Sequence, residues 1–375
     1  MRPARATAAA VTTVIGVGTA AVAAGRYASD AALKAPPGRP LPGDPRLTVH
    51  ATAAGRVTLT RCLASLRPGT YGLESADVRA VVGPVIDDVP HPADTVVRRL
   101  ERVSAGTLAA GGRVRLTPQL HHGDPATALG IEYDRVEFPG ELGALPGWFV
   151  PGSRDTWVIT AHGLGATPEH PMNVLEFLVD QQLPVLNLAY RGDQGAPRSP
   201  DGLGHLGDSE WRDLDAAIRF AVRGGAEHVI LYGWSIGATM ALHAAGKSGQ
   251  RDRIKGLVLD SPVLDWERTL RALATARRTP GPLLPLAVRA AQGRTGLRGG
   301  RLPVVADPGM LHVPTLIVHG PDDALAPWYP SRELAARRPE LVTLHTVSDA
   351  PHGAMWNADP TGYEEALRRF LTPLM

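Results

Sequence analysis

Six short apolar runs recur along the chain at 156–161, 184–189, 227–232, 255–260, 314–319 and 341–347. Each is nearly continuous rather than alternating, the pattern of strands buried on both faces. Stretches with helical spacing lie between them, among them Asn173 to Gln182, Ser209 to Arg223 and Ile236 to Lys247. Alternation of the two patterns predicts a doubly wound, mostly parallel sheet with helices on both faces and right-handed crossovers. Asp208 or Ser209 is expected to cap the middle helix, with Glu210 in its first turn. Tyr363 to Leu371 carries the last amphipathic pattern.

Residues 46 to about 125 obey a different rule. Runs such as Arg46 to His50, Arg56 to Thr60 and Arg113 to Thr117 alternate polar and apolar positions and are broken by Gly and Pro. Alternation of period two predicts antiparallel strands with one wet face. The region is either a small separate domain or an extension of the main sheet, whose own first antiparallel strands are expected from about 129 to 150. A second departure lies between Asp260 and Pro314, too long for one crossover. Glu267 to Arg278 and Leu284 to Gln292 read there as two helices split by Thr279-Pro280-Gly281-Pro282. These predict a small helical lid at about 266–312, with Trp266, Leu283, Leu284 and Leu286 either lining a pocket or packing the lid down.

The N-terminus changes the picture again. Arg2 and Arg5 precede an uncharged stretch from Ala6 to Gly25, closed by Arg26, and a Pro-rich linker follows to residue 45. Twenty residues at helical rise just span a bilayer core, so residues 1–26 read as a signal-anchor; Ala21-Val22-Ala23 keeps a cleaved signal peptide open. Either way the remainder is expected outside the cytoplasm, membrane-held in a single pass or secreted.

Composition narrows the function mainly by exclusion. With 39 Lys plus Arg against 37 Asp plus Glu and no basic stripe, nucleic acid is not an expected partner. Cys62 is the single cysteine and is read as a small buried apolar residue. His121-His122 is read as an exposed loop pair without metal-ligand spacing, so neither metal nor cofactor is expected.

The chemistry begins at Ile230-Leu231-Tyr232-Gly233-Trp234-Ser235-Ile236-Gly237-Ala238, where an apolar strand turns at once into an Ala-rich helix through Gly-x-Ser-x-Gly. Such a turn holds its serine in a strained conformation with the hydroxyl outward, and the glycines remove side chains that would collide across it. A serine used this way needs a base, and the base needs a carboxylate to fix its tautomer. Asp323, in Gly320-Pro321-Asp322-Asp323-Ala324-Leu325-Ala326-Pro327, is the candidate acid, with Asp322 its competitor. His352, in Ala350-Pro351-His352-Gly353, is the candidate base; His345 and His319 are read as structural. The Trp157 to Gly165 segment runs from a strand into His162-Gly163-Leu164-Gly165, a loop suited to oxyanion binding. Leu164 and Ile236 are the expected N–H donors, and His162 is expected to brace the loop.

Together the elbow, the His-Gly-x-Gly loop, the late Asp turn and the last-loop His resemble the α/β-hydrolase superfamily over about residues 125–375. Pro184 to Asp193, with Tyr190-Arg191-Gly192, resembles a segment of its esterases and peptidase-like members, as does Gly207 to Leu214. In these details the chain resembles a subgroup of uncharacterised actinobacterial hydrolases with an N-terminal membrane segment. Relatives often carry a second Gly where this chain has Ala238.

The resemblance implies an α/β-hydrolase domain at 126–375, preceded by the β-rich region at 46–125. It also implies a serine hydrolase acting through Ser235, Asp323 and His352 and an acyl-enzyme, on a small-molecule ester. A peptidase or amidase, an acyltransferase and a non-catalytic binding module are the alternatives. Arg191 either meets an acidic group of the substrate or pairs with Asp193 or Glu210.

Overall fold

The computed structural model describes residues 29–30, 33–34, 38, 45–297 and 300–375. The proposed membrane segment, its cleavage site and most of the Pro-rich linker lie outside the described residues. Among those described, no helix is long and apolar enough to cross a membrane.

The first six strands are β1 (Leu47–Ala53), β2 (Arg56–Thr60), β3 (Tyr71–Glu74), β4 (Arg79–Val85), β5 (Thr95–Ala105) and β6 (Arg113–Thr117). They close into a barrel of order β1-β2-β5-β4-β3-β6, antiparallel at every pairing. Closure removes the unpaired edges that an isolated small sheet would expose. The alternation seen in the sequence is the inside–outside alternation of this wall: Val57 and Leu59 of β2, and Val114 and Leu116 of β6, are buried between more exposed neighbours. They form a core of their own with Leu47, Val49 and Leu73.

The other eight strands are β7 (Asp134–Pro139), β8 (Ala144–Val150), β9 (Thr156–Ala161), β10 (Val185–Leu188), β11 (His228–Trp234), β12 (Ile254–Asp260), β13 (Thr315–His319) and β14 (Val342–Thr346). Their order is β14-β13-β12-β11-β9-β10-β8-β7, parallel from β14 to β10 and antiparallel at the β8 and β7 edge. All six residues of β9 are buried, as expected of a strand covered on both faces.

The helices are α1 (Pro125–Leu129), α2 (Leu175–Asp180), α3 (Trp211–Arg223), α4 (Ile236–Lys247), α5 (Trp266–Ala276), α6 (Leu284–Thr295), α7 (Pro303–Ala306), α8 (Tyr329–Arg337), α9 (Met355–Ala358) and α10 (Pro360–Leu371). Helix α3 buries Leu214, Ala217, Ile218 and Ala221, one stripe at helical spacing. With α4 and α8 it covers one face of the sheet, while α2 and α10 cover the other. The cap expected for α3 is not used: neither Asp208 nor Ser209 caps it, and Glu210 stands at its start. The Glu210 carboxylate reaches back instead and accepts the N–H groups of His205, Gly207 and Ser209. Folding that preceding loop takes the carboxylate out of the capping role.

Two further expectations change. His121 is buried rather than exposed, because the chain leaving the barrel is sewn onto the hydrolase body: Asn173 accepts the N–H of Leu120 and donates to the Pro118 carbonyl. Cys62 is half-buried, lying under the Ser65 hydroxyl, which donates to the Cys62 carbonyl.

The barrel is tied most firmly next to the last loop. Thr70 N–H donates to the Asn357 carbonyl at 2.9 Å, and the Asn357 amide returns bonds to the carbonyls of Thr70 and Pro118, each at 2.9 Å. Ala354 sits within the barrel core itself. On the barrel side, Arg98 is fully buried and its guanidinium donates to the carbonyls of Ser65, Arg67, Gly69 and Gly83. It thereby freezes the loop that meets Asn357. Burial pushes the Arg98 guanidinium down to about 10, so it is still charged at neutral pH.

Gly69 has φ +84° at this contact, and a Cβ there would lie 1.9 Å from the Asn357 carbonyl oxygen. Gly69→Ala should therefore cost on the order of 1–3 kcal/mol through backbone strain and steric overlap. The expected result is a lower thermal midpoint with faster proteolysis between barrel and hydrolase body. An unchanged midpoint and cleavage pattern would contradict the contact.

Candidate active site

Strand β11 delivers its last residue directly into α4, and Ser235 sits between them at φ +54° and ψ −115°. A non-glycine residue there stores roughly 1–3 kcal/mol of strain, so its neighbours must give way. They do so by lacking side chains. A Cβ on Gly233 would lie 2.3 Å from the Ala238 nitrogen, and one on Gly237 would lie 2.0 Å from the Ala161 carbonyl oxygen. The residue at 238 tolerates its methyl: Ala238 is completely buried in the helix–sheet core.

The Ser235 hydroxyl donates to His352 Nε2 at 2.7 Å, and His352 Nδ1 donates to Asp323 Oδ2 at 2.7 Å. Between the two adjacent aspartates, Asp323 is thus the one that meets the histidine. Asp322 instead accepts the N–H of Asp349 at 2.8 Å. Asp323 is pinned by the N–H groups of Leu325 and Ala326 at 2.9 and 2.8 Å, and by His319 Nε2 at 3.1 Å. Burial alone would raise its carboxyl, but the charge of His352 and the bonds from both histidines outweigh it and hold Asp323 well below the usual carboxylate range. His319 is accordingly a buried support for the acid.

The His162–Leu164 loop lies hard against this serine, since a Cβ on Gly163 would come within 2.9 Å of Ser235 Cβ. Ile236 is the first residue of α4, where N–H groups have no partner within the helix. His162 Nε2 donates to Asp193 Oδ2 at 2.8 Å, and its ring stacks on Tyr190 with centroids 4.4 Å apart. The Tyr190 hydroxyl lies 3.2 Å from the His162 carbonyl. His162 therefore braces the loop from beneath, with Asp193 as a partner that the sequence reading did not assign.

Arg191 pairs with neither residue expected of it. It forms a two-pronged bond to Asp213, at 2.8 and 2.7 Å, and a further one to Glu141 at 3.0 Å. Asp213 projects from α3 directly toward the Arg191 backbone, whose N–H it also accepts, so the partner comes from the next helix rather than the same loop.

Ser235 and His352 open into a cavity of about 540 Å³. The four lid residues named from sequence do not line it. One turn farther along α5, Arg271, Ala272, Thr275 and Ala276 do, whereas Trp266 is buried in the core. The facing wall comes from the barrel, through residues including Tyr71, Glu74, Leu116 and Thr117. That contribution had no local signal, because it depends on how the barrel docks. Among the described residues, no group of three or more His, Cys, Asp or Glu could hold a metal ion.

Behind His352 runs a buried polar chain that sequence reasoning also missed. Tyr232 and Tyr363 hydroxyls meet at 2.6 Å, Tyr363 donates to Asp260 at 3.0 Å, and Ser261 donates to Asp260 at 2.7 Å. Ser261 in turn accepts the Gly353 N–H at 3.0 Å, next to the base. Complete burial pushes the Asp260 carboxyl up to about 7 against these hydrogen bonds.

A serine at a strained strand–helix turn, facing a histidine and a buried aspartate from the last two loops of a mostly parallel sheet, defines the α/β-hydrolase class. The comparisons agree. Residues 156–280 match the family model described as alpha/beta hydrolase fold. Residues 48–117, the barrel, match a family described as a domain of unknown function, DUF8805. Among solved structures, an esterase of Pyrococcus furiosus is similar at TM-score 0.57 and 23% identity, over 68% of this chain and 95% of that one. A second crystal form of the same esterase gives a TM-score of 0.54 at 22% identity. The uncharacterized protein YfhR of Escherichia coli K12 is 25% identical over 226 residues, which cover 58% of this chain and 73% of that protein. The chain carries the α/β-hydrolase fold, with a closed six-stranded barrel ahead of it.

A carboxyl whose native pKa is raised contributes stability below its unfolded value near 4 and loses it as pH climbs through the native value. For Asp260 that window runs from about 4 to about 7. Asp260→Asn removes the titration, so its thermal midpoint relative to wild type should rise between pH 5 and pH 8. A constant difference across that range would contradict the assignment.

Proposed function

We propose that the protein is a serine hydrolase of carboxylic esters, working through a covalent acyl-enzyme. The observation that carries this reading is the unbroken relay from Ser235 through His352 to Asp323, each link 2.7 Å, opening into the cavity. The esterase among the similar folds supports the choice of ester.

In this scheme His352 Nε2 takes the Ser235 proton as Oγ attacks the ester carbonyl carbon. Asp323, ionised and pinned, holds Nδ1–H and stabilises the imidazolium. Charge gathers on the carbonyl oxygen, where the N–H groups of Leu164 and Ile236 receive it; one such donor is worth on the order of 10²–10³ in rate. His352 then gives its proton to the departing alkoxide, leaving Ser235 acylated. Water enters, His352 removes a proton from it, and the carboxylic acid leaves with Ser235 restored.

Hydrolysis of p-nitrophenyl acetate and butyrate should be lost, to the uncatalysed background, in Ser235→Ala and His352→Ala. Asp323→Asn, which keeps the shape but frees the wrong tautomer, should lower kcat by up to about 10⁴-fold. Folded Ser235→Ala with wild-type turnover would remove Ser235 from the mechanism.

A further inference from the structure

The sequence treats the barrel and the hydrolase domain as neighbours, and the structure makes them two halves of one cavity. Three observations meet there. First, the cavity that opens from Ser235 and His352 is walled on one side by the barrel strands β3 and β6, at Tyr71, Glu74, Leu116 and Thr117, and on the other by α5, at Ala272 and Ala276. Second, the barrel wall is rigidly set. Its loop is frozen by Arg98 and bonded to Asn357, and Pro118, just past Thr117, is held by both Asn173 and Asn357. Third, apolar or small side chains line the space from both elements, Leu116 and Thr117 from β6 and Ala272 and Ala276 from α5. Four charged side chains line the cavity, Arg67 and Arg271 against Glu74 and Asp322; Glu74 is engaged with Arg115 at 3.1 Å, Arg271 with Glu267 at 2.9 Å, and Asp322 with the Asp349 N–H at 2.8 Å.

We propose that the six-stranded barrel is the specificity wall of the site, and that Leu116 and Thr117 at the end of β6 and the Ala272–Ala276 face of α5 grip one extended apolar group of the ester. A cavity of about 540 Å³ lies in the range of roughly 300–1,000 Å³ that takes drug-sized ligands. It far exceeds the need of an acetyl group. The two cations and two anions lining it balance, so selection rests on apolar surface and length. This inference builds on the ester-hydrolase reading and adds the class of ester. The apolar group is the acyl chain or the alcohol, and the two are chemically alike in such a slot.

The test uses the full chain and two variants that fill the slot from opposite sides, Thr117→Trp and Ala272→Trp, with folding checked by circular dichroism. Two series are run: p-nitrophenyl esters from acetate to decanoate, and alkyl acetates from methyl to octyl. In one series both variants should lower kcat/KM for the longest members by about tenfold or more, the effect expected when several methylenes lose their pocket. The shortest esters should lose much less, so that preference shifts toward short members, and the series affected identifies the group held. If Thr117→Trp fails to fold, Thr117→Met puts less bulk at the same place.

Calorimetric titration with octanoate and 1-octanol, neither of which can be hydrolysed, reads the slot separately from turnover. Wild type should bind at least one of them, and the filled variants should bind it more weakly. A uniform fall across both series, an unchanged profile, or equal binding by wild type and both variants would each overturn the proposal. So would failure of wild type to bind either compound. Loss of ester turnover with binding intact would instead strike the hydrolase reading and leave the wall standing.

Discussion

Every part of the site answers to one backbone constraint, the left-handed φ of +54° forced on Ser235 where β11 stops and α4 starts. At this turn the strand, the helix and the neighbouring loop approach more closely than side chains allow. Gly237 must face the Ala161 carbonyl and Gly163 must face Ser235 itself. The same closeness has chemical consequences. It puts the start of α4 and the His162–Leu164 loop on either side of the serine, and it aims the hydroxyl at the loops that follow β13 and β14. The cost of the turn is spread over the continuous burial of β9, β11 and β12 around it.

A second layer of constraint keeps the histidine where the serine needs it. The loop bearing His352 is held on three sides: by Asp323 in front, by the Asp260–Ser261 chain through Gly353 behind, and by the barrel through Ala354 and Asn357. The barrel therefore belongs to the site in two senses, as a clamp on the last loop and as a wall of the cavity. Its buried Arg98 fits this role. A buried arginine that donates four hydrogen bonds to backbone carbonyls makes a loop rigid, and that loop is the one that docks.

How much of this was legible in the sequence follows from the range of the interactions involved. Strand β9 occupies 156–161 and helix α4 occupies 236–247, as their patterns predict, because continuous apolar runs and abrupt glycine turns are local signals. Ser235, His352 and Asp323 come together as the resemblance implies. Asp323 was separable from Asp322 only through the resemblance to family members with such a turn, and the separation is physical: one accepts two N–H groups of its own turn, while the other reaches across to Asp349. Non-local pairings were not legible. The barrel closes through partners far apart in sequence, β2 with β5, β3 with β6 and β1 with β6, Arg191 finds Asp213 on the next helix, and α5 presents Ala272 and Ala276 to the cavity where Trp266 had been a candidate. The α3 cap failed for a related reason, since Glu210 is occupied by the loop before it.

The central claim is that the strained serine is an activated nucleophile, and its most direct test is a covalent one. Purified protein would be treated with a fluorophosphonate and the modified residue mapped by mass spectrometry, beside folded Ser235→Ala and His352→Ala. A single phosphonyl adduct on Ser235, absent from Ser235→Ala and nearly absent from His352→Ala, is the expected result. A folded wild-type protein that takes up no label, or takes it up elsewhere, would contradict the account.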